Sequence, residues 1–194
     1  SATNSLAELR DVMGIICREL SRAYEGVTVS LTVFHQGEML VAHHEGRGES
    51  VAFRTVPMAD KDNNRIIRDA STQSVFHFRS PVPQEVANEL AELTGRQPEG
   101  DQLLIPLMFS GNLLGIAAVN PPASQTSSLL MASAAEIAGA ISQTVTNCLL
   151  FTEVTLQNDA LEHRVEESSE QLERLTTRMA SILASVTDAI VLLR

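Results

Sequence analysis

The chain has 194 residues, 44% of them hydrophobic and 20% charged, enough apolar material for one packed domain and an extension. Its formal net charge of −10, with no stripe of clustered Lys and Arg, argues against sequence-independent binding to nucleic acid or to an anionic membrane surface. With no tryptophan, one tyrosine and six phenylalanines, the core must be built from aliphatic side chains and alanine, which favours close helix packing.

The first apolar periodicity runs through Leu6, Leu9, Val12, Met13, Ile16, Leu20 and Tyr24, so residues 4 to 25 are expected to form an amphipathic helix ended by Gly26. Strict alternation follows over Val27 to Phe34. A strand there places Val27, Val29, Leu31 and Val33 on one face, toward the helices, and Thr28, Ser30, Thr32 and Phe34 on the other, toward any ligand cavity. Gly37 marks a turn, and Met39 to His44 reads as the returning strand. Residues 46 to 60 show no regular pattern. Asp62 is expected to cap a short helix carrying Ile66 and Ile67, and Ser74 to Phe78 reads as a short strand before Pro81 and Pro83. Pro83 suits the first turn of a helix through Leu93 that Gly95 ends. Residues 103 to 109 and 113 to 119 are apolar on both faces, as central strands covered on both sides should be, with a turn at Gly111-Asn112. From Gln125 onward there is no proline, and one very long helix is expected. The order of elements is that of an α+β sandwich, an antiparallel sheet flanked by helices.

Three stretches carry a family resemblance: Leu103-Leu-Ile-Pro-Leu107, Gly111-Asn-Leu-Leu-Gly-Ile-Ala-Ala-Val119, and the helix from Ala134-Ala-Glu-Ile-Ala138 to Asn147-Cys-Leu-Leu150. Together they resemble the C-terminal half of a GAF domain. The likeness reaches back more weakly through Ala70 to Phe78 and covers about residues 4 to 150. The structural alternative is the related PAS sandwich, against which the leading helix and the helical closure speak. The last stretch, Met179 to Arg194, is similar to the start of a PAS domain, with Ala189 where glycine is commoner. The resulting organisation is a GAF-like domain over 4–150, a coiled coil over 151–186 and the beginning of a PAS-like domain over 187–194.

From Phe151 to Val186 one heptad frame fits. Phe151, Asn158, Val165, Leu172, Met179 and Val186 take position a, and Val154, Leu161, Ser168, Leu175 and Ile182 take position d. Nine of these eleven residues are apolar, which points to a parallel homodimeric coiled coil about 54 Å long. Asn158 at an a position pairs only with its mate in the correct register, and Ser168 loosens the seam locally. His163 falls on the solvent side. Its surroundings lack the pattern of a phosphorylated kinase histidine, so it reads as a surface residue.

No Walker loop, GxSxG elbow, HExxH or paired-carboxylate motif appears, and no enzyme activity is expected of the chain itself. His43, His44 and Glu45 are consecutive on a strand, where neighbours point to opposite faces and cannot converge on one metal ion. Cys17 and Cys148 have no metal-ligand spacing and read as small core or interface residues. If the domain holds a small molecule, the expected lining is Phe34 and His77, with Arg65 and Arg79 pairing with an anion, and the cavity between the sheet and residues 54 to 95. Arg54 and Arg68 lie in the same stretch, and ordinary surface roles are the simpler reading of all four arginines. The resemblance names no cofactor. Bilin-binding GAF domains and GAF-type methionine sulfoxide reductases use cysteines in the pocket region, whereas residues 26 to 120 contain none. Asp62-Asn63-Asn64-Arg65 is only a superficial echo of the cyclic-nucleotide pattern.

The longest apolar runs, such as Leu113 to Val119, fall far short of the ~20 residues that cross a bilayer, and no signal-peptide pattern opens the chain. A cytoplasmic location is expected. The chain starts at Ser1 and stops at Arg194 inside an apolar run, and so reads as an excised piece of a longer protein. The resemblance then implies a sensory fragment of a signal-transduction protein, with an unidentified small molecule or redox state as input and an output domain such as a histidine kinase or a diguanylate cyclase beyond Arg194. The competing reading is a dimerisation and spacer module without a ligand.

Overall fold

The computed structural model describes residues 2–46, 48–58, 64–72, 75–121 and 127–192, with side-chain surroundings given outside 2–5, 127–130 and 183–192. Two compact units are present, Thr3–Leu150 and one made mostly of residues from Phe151 onward.

In the first unit, α1 (Ala2–Ala23) leads into β1 (Val29–His35) and β2 (Glu38–His44), then β3 (Val51–Pro57), α2 (Arg65–Ala70), β4 (Phe76–Phe78), α3 (Gln84–Thr94), β5 (Gln102–Phe109) and β6 (Asn112–Val119). The helix α4 (Ser127–Leu192) follows. The strands form one six-stranded antiparallel sheet in the order β3-β2-β1-β6-β5-β4. Pairing β1 with β6 brings the two ends of the domain together and makes them the centre of the sheet.

Both faces of the sheet are covered, and the alternation of β1 assigns them. Val29, Leu31 and Val33 pack with Leu103, Ile105, Leu107, Ala117 and Val119 against Leu9, Met13 and Leu20 of α1 and Ala134, Ile141 and Val145 of α4. This is the arrangement the sequence pattern requires. On the opposite face Val41, Leu104, Ile116 and Ala118 meet Ile66 and Ile67 of α2 and Leu90 and Leu93 of α3, with Phe34 half-buried beside them.

Turn chemistry fixes the register of both hairpins. Gln36 and Gly37 have φ of 49° and 81°, and Ser110 and Gly111 have 49° and 80°, as two-residue turns matched to strand twist require. The second turn is therefore Ser110-Gly111, one residue before the expected Gly111-Asn112. The shift between Leu107 and Met108 in β5 frees the Met108 N–H, which donates to Ser142 Oγ of α4 at 3.0 Å.

Three expectations need correction. Residues 51–57, read as irregular, form β3: as an edge strand with only a half-buried residue near each end, it has no apolar alternation to betray it. The cap of α2 is Asn64, whose Oδ1 accepts from the Ile67 N–H at 3.1 Å; Asp62, expected in that role, lies outside the described residues, as does Ser74 of the expected β4. The backbone of residues 187–192 is helical, continuing α4 through Asp188 and Ala189, where the PAS-like reading has a turn into a strand. A helix satisfies its backbone hydrogen bonds locally, whereas a strand needs a neighbour.

Candidate functional site

The end of α3 shapes a recess on the second sheet face with a built polar wall. Leu90 and Leu93 hold α3 down on the sheet, and buried Thr32 Oγ1 donates to the Leu93 carbonyl at 2.7 Å. Arg54 of β3 donates to the Glu92 carbonyl at 3.2 Å, placing a cation at the negative end of the helix. Gly95 then turns the chain with φ of 82° beneath that guanidinium, where a β-carbon would overlap Arg54 Cζ. The next residue, Arg96, is thereby aimed back at β2.

Its guanidinium Nη1 donates to His43 Nε2 at 2.8 Å and to Glu45 Oε1 at 2.5 Å. His43 Nδ1 lies 2.8 Å from Ser30 Oγ on the neighbouring strand, its register partner. Since Nε2 accepts from an arginine, it carries no proton, and the ring is the neutral tautomer that donates from Nδ1 to Ser30. Burial, together with the Arg96 charge, pushes the His43 pKa below its ordinary value, which agrees with that tautomer. Beyond this relay lies a cavity of about 290 Å³ that Thr28, Ala118 and the loop from Thr94 to Glu99 enclose. Its far wall is set by Glu99, whose carbonyl accepts from Gln102 Nε2 at 3.1 Å and from Asn120 Nδ2 at 2.5 Å.

The four residues expected around a ligand do not converge. Phe34 lies on the second face, but His77 pairs with Leu103, whose side chain belongs to the core under α1 and α4, so the two are on opposite sides of the sheet. His77 Nε2 sits 3.3 Å from Asp101 Oδ2, and the other carboxylate oxygen, Asp101 Oδ1, accepts from the Ser80 N–H. Arg65 faces solvent and pairs with Asp69 one turn along α2 at 3.5 Å, and Arg79 is exposed just past β4. Arg68 is likewise on the outer side of α2. Within the stretch 54 to 95, α2 and α3 pack directly on the sheet through Ile66, Ile67, Leu90 and Leu93, and the cavity opens one step beyond, over residues 94–99. Of Thr28, Ser30, Thr32 and Phe34, expected to face a cavity, Thr28, just before β1, and Ser30 do line it. His43, Glu45 and Arg96 were missed. The spacing of His43 and Glu45 puts both on one strand face, but only the fold shows that Arg96 meets them.

His43 and His44 point to opposite faces, His44 being buried with Nδ1 3.1 Å from the Ser50 carbonyl. No cluster of metal-ligating side chains occurs among the described residues. In the second unit Phe151, Val154, Leu161, Val165, Leu172, Leu175, Met179 and Ile182 are each more than half exposed on α4, and the polar Asn158 and Ser168 between them are exposed as well. Val186 lies outside the described side chains. His163 is exposed and 3.8 Å from Glu166.

No protein-family model and no curated protein sequence matches the chain. Solved structures do. The GAF domain of PixJ from Thermosynechococcus elongatus, in its blue-light-absorbing form, superposes with a TM-score of 0.55 at 11% identity, covering 79% of this chain and 94% of that one. The GAF-B domain of DevS from Mycobacterium smegmatis gives 0.52 at 11% identity over 75% and 98% of the two chains. The GAF domain of an Acinetobacter phosphoenolpyruvate-protein phosphotransferase gives 0.52 at 13% identity over 73% and 84%. The first unit therefore has the GAF fold. No helix among the described residues is long and apolar enough to cross a membrane.

Proposed function

We propose that this chain is the sensory and regulatory part of a cytoplasmic signal-transduction protein and is not itself an enzyme. Two copies pair in parallel through α4, and a change in the GAF unit passes along the coil to an output domain such as a histidine kinase or a diguanylate cyclase. The observation that carries this reading is the seam on α4: eight large apolar side chains at a and d positions, each more than half exposed in the single chain. Burying such a side chain is worth roughly 1.5–3 kcal/mol, a strong drive to pair. Support for the parallel arrangement comes from the flanking positions. In register, Gln157 meets Glu162 and Arg164 meets Ser169, so no like charges face each other across the seam.

Sedimentation equilibrium of the chain is expected to give a dimer at micromolar concentration. Replacing Leu172 and Leu175 by serine shifts it toward monomer, whereas His163→Ala does not. A monomer at that concentration sinks the proposal. The dense packing of α2 and α3 on the second sheet face favours a second reading, a dimerising spacer with no input. Ligand-induced thermal stabilisation separates the two, because a ligand that binds only the folded state must raise its apparent stability.

A further inference from the structure

We propose that the cavity bounded by His43, Arg96 and Glu99 is a binding site for a small zwitterion of the free amino-acid class. This inference deepens the sensory reading by naming its input. The relay commits only one nitrogen of Arg96: Nη1 is shared between His43 Nε2 and Glu45 Oε1, so Nε and Nη2, with three N–H donors between them, remain for a carboxylate. The opposite wall has the reverse character. Gln102 and Asn120 each turn the amide nitrogen toward the Glu99 carbonyl, which takes one N–H from each, so the amide oxygen of each side chain remains as an acceptor, and the Glu99 carboxylate adds a negative charge. An acceptor-rich, anionic wall suits an ammonium group.

Charge counting narrows the choice. Arg96 is outweighed by Glu45 and Glu99, and His43 is neutral, so the lining has a net charge of about −1. A phosphate or a dicarboxylate is repelled by that excess. A simple amine gains nothing from the guanidinium. A molecule bearing one carboxylate and one ammonium a few ångströms apart satisfies both ends at once. The volume of about 290 Å³ lies at the lower limit for small-molecule sites and suits a metabolite of that size.

The test is isothermal titration calorimetry of the whole chain with L-alanine, L-serine and L-glutamine, against their N-acetyl and carboxamide derivatives and inorganic phosphate. At least one free amino acid is expected to bind, with the derivatives weaker by about tenfold or more because each lacks one charge. Arg96→Gln and Glu99→Gln, with unchanged circular dichroism, should each lose about tenfold in affinity for it. The proposal is overturned if none of the three binds up to about 10 mM, if the N-acetyl or carboxamide form binds equally well, if phosphate binds instead, or if both variants keep full affinity. Repeating the titration on the Leu172/Leu175 variant keeps the two ideas apart. Binding retained in the monomer supports the site whatever becomes of the coil, and binding that leaves the dimer unchanged counts against signalling alone.

Discussion

At the scale of single residues, the His43 relay makes stability depend on pH with a definite sign. Burial and the nearby charge of Arg96 hold the folded pKa of His43 below its ordinary value of 6.5, with Arg54 and His44 adding to the effect and Glu45 opposing it. The unfolded chain therefore takes up the proton first. The contribution of the relay is complete above about pH 6.5 and is lost as the pH falls through the depressed folded value. Urea denaturation between pH 7.5 and about pH 5 should show this loss in the wild type and a smaller one in His43→Asn, which keeps the Ser30 contact but cannot titrate. A steeper loss in the variant would show that the relay is not the cause. Cys17 gives a second expectation. Buried under the sheet with its thiol near the Ala42 carbonyl, it has its pKa pushed up to about 12, while half-buried Cys148 is raised by burial and by Glu8. Because the thiolate is the reactive form, iodoacetamide at pH 8 should modify Cys148 first and native Cys17 at least about 100-fold more slowly than unfolded chain.

Among the elements, the central pair β1 and β6 is the most sensitive to a small change. Gly115 faces Val33 in the ladder, and a β-carbon there would lie 2.1 Å from the Thr32 carbonyl oxygen. That neighbour is backbone and cannot rotate away. Gly115→Ala should cost roughly 1–3 kcal/mol, read as a lower urea midpoint with an unchanged slope, whereas Gly139→Ala, on an open face of α4, should be neutral or slightly stabilising. The end of α3 was legible because its cap acts locally, Gly95 taking the left-handed conformation its type suggests; at α1 that conformation is taken first by Glu25, one residue ahead of Gly26. β3 was not legible, since an edge strand without a buried face is specified by its partner β2 rather than by its own pattern.

For the molecule as a whole, charge and the α4 seam pull in opposite directions. Each chain carries −10, and within 151–186 seven acidic residues face only Arg164, Arg174 and Arg178. Pairing two such chains brings like charges together, an effect that added salt screens. The proposed dimer should therefore tighten between about 50 mM and 500 mM NaCl, measured by sedimentation equilibrium. A dimer that weakens with salt would mean that ion pairs, not the apolar seam, hold it.

The sequence by itself determined the quantities that depend on near neighbours in the chain. The 3.6-residue period set α1 and α3, strict alternation decided which side of β1 meets the helices, the Pro-Leu and Gly-Ile stretches of β5 and β6 carried the GAF resemblance, and the heptads marked the exposed seam of α4. Only the tertiary structure decided the site. Phe34 and His77 are both partly buried near aromatic or apolar neighbours in sequence, yet strand pairing puts them on opposite faces. Arg96 meets His43 and Glu45 because Gly95 reverses the chain above β2, the contact with His43 spanning 53 residues. Periodicity reports which face a side chain takes within its own element, and the partner on that face is settled only when elements pack against one another.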